Sequence, residues 1–309
     1  MKLGMFLPQG QTFGTREGIL DGALAAEQIG YDSVWFFERM LYPEDQTGAH
    51  RVTDYGDGTW PAYYRSVPEP LVALSMAAAV TTRVRLGTAV LIAPLHMPLR
   101  LAKSLATLDA ASGGRVIAGL GTGWSVDKYA ATAPRPMRER GAAPEEFLDI
   151  AEAVWRPDPV SFKNERYHIF PAEIGPKPAR PIPVLLGGRS QKTLDRIARR
   201  AAGWLPSMTP PDQIRASMTK LREKAEEYGR DPAGLSCTTV VALISLAEVP
   251  ERGRRLYTGS IPQVIQDLAA LAEAGVDEVI LTLPFLAGSV PELADLAATF
   301  RQQILEAGI

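Results

Sequence analysis

The chain has 309 residues, 46% of them hydrophobic, with a formal net charge of -2 and a pI near 6.0. That balance gives no reason to expect a nucleic-acid partner, and the single cysteine, Cys237, excludes an intrachain disulfide. The longest uncharged apolar stretch, Leu86–Leu99, is interrupted by prolines and is too short to span a bilayer, so no membrane partner is expected.

Taken in order, Lys2–Leu7 reads as a short apolar strand. The opening MKLGMFLPQG leaves no room for a signal peptide, so a cytoplasmic location is expected. Thr15 is a candidate N-cap for a helix running to Ile29, and Gly30-Tyr31-Asp32 turns into a strand at Ser33–Phe37. Glu38–Val67 is a long polar and aromatic segment without periodicity, and Pro68–Thr81 is an Ala-rich helix.

The stretch Arg83–Trp124 reads as strand, helix, strand. Val84–Val90 is mostly aliphatic, as in a strand buried on both faces of a parallel sheet. Pro98 opens a helix with Leu101, Leu105 and Leu108 on one face, and Gly113-Gly114 stops it. The next strand, Arg115–Gly119, runs into Gly121-Thr122-Gly123-Trp124, where glycines let backbone approach backbone or a flat ligand.

Ser125–Ala143 reads as a second irregular excursion, followed by a helix at Pro144–Trp155 and a small hairpin around Lys163-Asn164. Strands are expected at Pro183–Leu186, Gly203–Pro206, Ser236–Leu246 and Glu278–Leu283. Helices are expected at Gln191–Ala202, Pro211–Tyr228, Ile261–Ala274 (capped by Ser260) and Val290–Leu305. Eight strands, each followed by a helix, argue for a closed (β/α)8 TIM barrel rather than an open sheet. Residues 1–309 read as one domain, with insertions at about 38–67 and 125–177, both leaving from the strand ends where barrel sites are built.

Several motifs are absent. In G-x-G-x-x-G the third glycine would fall at Trp124, so a nicotinamide site is not supported. There is no phosphate-loop motif and no nucleophile elbow. Three histidines (His50, His96, His168) and one cysteine argue against a structural zinc site.

Six stretches, in order, resemble the luciferase-like monooxygenase superfamily and, within it, the F420-dependent oxidoreductases. They are MKLGMFLPQ, GYDSVWFFE, RLGTAVLIAPLHMPLRLAKSLATLDAASGGRVIAGLGTGW, ERG at Glu139–Gly141, VLLGGRS and LYTGSIPQVIQDLAALAEAGVDEVIL. The resemblance implies a flavin or the deazaflavin coenzyme F420 bound at the carboxyl end of the barrel. It implies a non-prolyl cis peptide at Ala89-Val90 that buttresses the cofactor ring; an ordinary buried strand pair is the alternative. Gly121, Thr122, Gly123 and Trp124 match the strand end beside the ring, and also suit a close-packed turn with a core tryptophan. Gly187, Gly188, Arg189 and Ser190 match a phosphate-binding turn, where amides before a helix attract an anion, or else a plain helix cap.

One position departs from the family pattern. Many members carry an acid followed by His after the second strand, and this chain has Glu38-Arg39. An arginine stays protonated and cannot be a general base, but it can stabilise developing negative charge, or serve only as an ion-pairing residue. His96, just past the third strand, joins Glu38 and Arg39 as a candidate catalytic residue; His50 is a weaker one, and both also suit solvated loops. His168 is expected at the surface. Trp124 stands where the sugar-phosphate dehydrogenases of the family have a glutamate, which argues against that substrate. Tyr55, Trp60, Tyr63 and Tyr64 line a substrate pocket or pack the excursion on the rim, and Arg140 reaches a cofactor tail or a barrel carboxylate.

The expected function is hydride transfer between F420 and an organic substrate. The alternatives are an FMN-dependent monooxygenase using oxygen, and a non-catalytic flavin-binding barrel. A homodimer is expected, with the Ala-rich helix suited to its interface.

Overall fold

The computed structural model describes residues 1–10, 13–52 and 58–309. The elements are β1 (Lys2–Phe6), α1 (Arg16–Ile29), β2 (Ser33–Phe36), α2 (Pro70–Val80), β3 (Arg85–Thr88), β4 (Leu91–Ile92), α3 (Pro98–Ser112), β5 (Val116–Gly121), α4 (Val126–Thr132) and α5 (Ala143–Trp155). After an antiparallel hairpin of β6 (Val160–Lys163) and β7 (His168–Ala172) come β8 (Val184–Leu186), α6 (Gln191–Arg200), β9 (Gly203–Trp204), α7 (Pro211–Glu227), β10 (Ser236–Val241), α8 (Ile261–Glu273), β11 (Glu278–Leu281) and α9 (Val290–Glu306).

Among the described residues, β1, β2, β3, β5, β8, β9, β10 and β11 pair in parallel, and β11 returns to β1, closing the eight-stranded barrel. Side chains alternate along each strand, so one set fills the barrel and the other faces the helices. Phe6, Trp35, Ile117, Leu185 and Ile280 form the inner cluster, while Met5, Val34, Leu86, Val116 and Val279 join the larger outer core. Trp35 is fully buried, and Cβ atoms added at Gly4 or Gly87 on its flanking strands would collide with its indole. Small residues on the neighbouring strands are therefore what admit the large one.

Local chemistry sets the helix ends. The Thr15 hydroxyl accepts from the Gly18 amide, and Gly30 ends α1 at φ 96. Ser260 and Gln263 form a capping box on α8. The Glu27 carboxylate reaches from α1 to accept the amides of Thr82, Arg83 and Val84, fixing the entry to β3.

Several boundaries differ from the sequence expectation. The third strand is interrupted: Ala89-Val90 is a cis peptide forming a bulge, and pairing with β5 resumes at β4. β5 runs through Gly121, two residues beyond its expected end, because β4 and β8 flank it that far. β10 stops at Val241, where the Leu243 amide turns to the Thr282 hydroxyl and Ile244 emerges into solvent. Within the second excursion lies α4, with Ser125 as its N-cap. No helix among the described residues is long and apolar enough to cross a membrane.

Candidate active site

The carboxyl ends of the strands, the face on which barrels carry their sites, gather most of the residues singled out from sequence. The Ala89–Val90 bulge is held from β2: the Ala89 amide donates to the Phe36 carbonyl at 2.7 Å and the Glu38 amide to the Val90 carbonyl at 3.3 Å. Glu38 is 2% exposed, and both carboxylate oxygens are engaged. Oε2 accepts the Ile92 amide at 2.6 Å and Oε1 bonds Nε2 of His96 at 2.8 Å. Glu38 thus holds Val90 by its backbone amide and the chain just after the bulge by its carboxylate. Burial works against a charge on His96, but the hydrogen bond and charge of Glu38, with the charge of Glu69, outweigh it and raise its pKa. The other side of His96 borders a groove of about 960 Å³ between α2 and α3, lined also by Glu69, Val72, Met97 and Arg100. The pair therefore positions the bulge from its outer side.

Glycines surround the bulge on the inner side. A Cβ at Gly121 would meet Val90 Cγ2 at 2.7 Å, and one at Gly119 would meet the Thr88 carbonyl oxygen at 1.9 Å. Gly123 sits at φ +67 against Ile92. The close-packed-turn reading accounts for these glycines without a ligand. At Gly187 a Cβ would find only ordinary contacts, so packing alone does not demand glycine there.

Before α6, Gly187 spends its amide on the Leu120 carbonyl, and Ser190 uses its hydroxyl to cap the Thr193 amide. Arg189 is exposed, and the amides of Gly188, Arg189 and Ser190 find no acceptor among the described residues. Ser190 serves as the N-cap, and the unspent amides together with the helix dipole favour negative charge at this turn.

Arg39 lies between two rings, its guanidinium carbon 4.0 Å from the centroid of Tyr64 and 4.8 Å from that of Phe37. Nη1 donates to the Glu38 carbonyl and Nη2 to the Tyr64 hydroxyl, while Nε is buried with no acceptor. The ion-pair reading of Arg39 finds no carboxylate partner among the described residues. Gln9 takes the Phe37 amide on Oε1 and leaves its buried Nε2 unspent.

The aromatic run mostly packs the excursion on the rim. Tyr63 stacks on Phe285 at 4.4 Å and meets Tyr64 at 4.7 Å; Tyr55 lies outside the described residues. Trp60 is 2% exposed, and its ring centroid is 4.9 Å from that of the half-buried Trp124. His50 is bound to Asp127 at 2.8 Å, joining the two excursions. His168 is exposed, as expected. Arg140 is exposed, donates to the Met137 carbonyl and pairs with no barrel carboxylate among the described residues.

Sequence reasoning missed Lys128, on α4. It is 2% exposed, with Nζ 5.4 Å from the Trp60 centroid and 6.0 Å from that of Trp124. Burial and the nearby Arg39 charge, partly offset by Glu38, lower its pKa to about 7. Ser125 beginning a short helix was the one available sequence signal.

These residues fit a flavin-type group. Val90, bordered by glycine, offers a flat seat, Gln9 and Arg39 hold unspent donors, and the turn at 188–190 suits a phosphate.

The luciferase-like monooxygenase family profile matches residues 1–266. The chain is 36% identical over 279 residues to the uncharacterized protein Rv0953c of Mycobacterium tuberculosis, covering 88% of this chain and 90% of that one. It is 28% identical over 208 residues to the F420-dependent glucose-6-phosphate dehydrogenase of Amycolatopsis mediterranei, covering 66% and 57%. Its fold matches the monooxygenase RslO1 of Streptomyces bottropensis with a TM-score of 0.79 at 19% identity, over 100% of both chains. Because the profile runs from β1 into α8, the chain belongs to the luciferase-like monooxygenase family and is an oxidoreductase.

Proposed function

We propose that this protein transfers a hydride between coenzyme F420 and an organic substrate. The observation that carries this reading is the Ala89–Val90 bulge, gripped by Glu38 and bordered by Gly121 and Gly187, beside a turn with unspent amides. The similarity to an F420-dependent dehydrogenase supports the choice of cofactor. When bound, the deazaflavin supplies the hydride chemistry. The chain's own work is to seat the ring on Val90, hold a phosphate at residues 188–190, and stabilise charge. Arg39, a permanent cation in an aromatic enclosure, is placed to stabilise negative charge that develops during the reaction. Glu38 and His96 position the bulge. The family also includes monooxygenases, so an FMN-dependent reaction with oxygen is the second reading.

Fluorescence titration of the purified protein with F420 and with FMN tests the proposal. Tight F420 binding with weak FMN binding is expected, followed by F420 reduction in a substrate screen. The reverse order of affinities, with oxygen uptake by the FMN-loaded protein, establishes the second reading instead.

We also propose a homodimer built on the α2–α3 face, where Val72 is 62% exposed and Met97 46% exposed beside the outer groove. Light scattering is expected to give twice 33.5 kDa; a monomer overturns this assembly.

A further inference from the structure

Two cations at the mouth have no anionic partner among the described residues. Lys128 is almost wholly buried, and no acceptor for its amine is found among the described residues. Arg39 spends two nitrogens on uncharged oxygens and leaves Nε buried and unpaired. The carboxylate whose charge acts on Lys128, Glu38, is already occupied by the Ile92 amide and His96. Asp127, beside Lys128 on α4, gives Oδ1 to His50, and its buried Oδ2 is paired with neither cation. With both oxygens of Glu38 spent on the Ile92 amide and His96, Arg39 and Lys128 stand without an ion-pair partner among the described residues, in an enclosure of Trp60, Trp124, Tyr64 and Phe37. Uncompensated buried charge is costly. A ligand that brings one negative charge and a flat apolar body would complete the site.

The geometry points to Arg39 and Lys128 as an anion subsite for the carboxylate of the substrate, whose apolar body lies against Trp124. The substrate class is therefore a flat organic carboxylate. This inference rests on the reading of the mouth as a redox site, but it is tested without the cofactor.

An anion beside Lys128 favours its charged form. Since burial and Arg39 bring that amine to about 7, binding above neutrality draws a proton from solvent, and affinity falls as pH rises. His96, bonded to Glu38, is the other titratable group at the site whose pKa is raised, so proton uptake is assigned to Lys128 by its loss in Lys128→Arg.

The experiment is isothermal titration calorimetry of the full chain with sodium benzoate, benzyl alcohol and inorganic phosphate. Buffers of different ionisation enthalpy report proton uptake. Benzoate is expected to bind at least tenfold more tightly than benzyl alcohol, with proton uptake at pH 8. Lys128→Met is expected to weaken benzoate at least tenfold. Lys128→Arg is expected to restore binding without proton uptake, an outcome a strut between two tryptophans would not give. Arg39→Gln is expected to weaken benzoate as well, and it keeps the test decisive if Lys128→Met does not fold. Equal affinity for benzoate and benzyl alcohol, no benzoate binding, or undiminished binding by Lys128→Met overturns the proposal. Phosphate that competes with benzoate and binds as tightly overturns the carboxylate assignment. A parallel F420 titration separates the two readings. Benzoate binding without F420 binding defeats the cofactor reading alone, and F420 binding without benzoate binding defeats the subsite alone.

Discussion

Nε2 of His96 lies 2.8 Å from Oε1 of Glu38, across 58 residues of sequence. The bond joins the end of β2 to the chain just past β4, and the bulge lies between them. His96→Ala leaves a buried carboxylate short of one donor and is expected to cost roughly 1–3 kcal/mol. The pKa of His96 is raised in the folded protein, so its contribution is fully present below pH 6.5 and is lost as pH rises through the folded value. In thermal melts from pH 5 to 9, the stability advantage of the wild type over His96→Ala should shrink as pH rises.

Lys128 gives the opposite slope. Its folded pKa, about 7, lies below the ordinary 10.5, so the unfolded chain binds more protons between these values and stability rises with pH across that window. At about 1.4 kcal/mol per pH unit the effect reaches at most about 5 kcal/mol. Lys128→Met should flatten the rise and increase stability at pH 7, read by denaturant unfolding. A variant less stable than wild type at pH 7, with the slope intact, would show that the amine is charged and paired.

The two strand glycines should respond unequally to alanine. At Gly119 the new methyl meets a backbone oxygen, which cannot swing away; at Gly121 it meets the tip of Val90, which can. Gly121→Ala should fold with a loss of about 1–3 kcal/mol and with weakened F420 binding, because Val90 is displaced. Gly119→Ala should lose clearly more stability. Melting curves and F420 titrations of both variants check the order.

Glu27 holds three amides at the start of β3, and these outweigh its burial and keep its pKa below the usual carboxylate range. Its contribution is therefore present above pH 4.5 and lost as pH falls through the folded value. Glu27→Gln should cost roughly 1–3 kcal/mol at pH 7 and less at pH 3, measured by urea unfolding.

The sequence by itself determined the barrel. Strands such as Val34–Phe36 and helices such as Pro98–Ser112 are written in local periodicity, and Thr15, Gly30 and Ser260 mark ends through bonds to near neighbours. The glycines at 119, 121 and 123 were legible for the same reason, since a missing side chain signals close approach whatever approaches. The resemblance to a known family located the bulge at Ala89-Val90, which strand patterning alone had read through. Only the tertiary structure decided the electrostatics of the mouth. Whether Glu38 is free or gripped depends on His96, 58 positions away, and the environment of Arg39 depends on Tyr64, 25 positions away. Lys128 is an ordinary helical lysine until α4 presses it against Trp60 and Trp124. Charge in a protein is tuned by what surrounds it in space, and neighbours brought together by barrel closure leave no periodic trace along the chain.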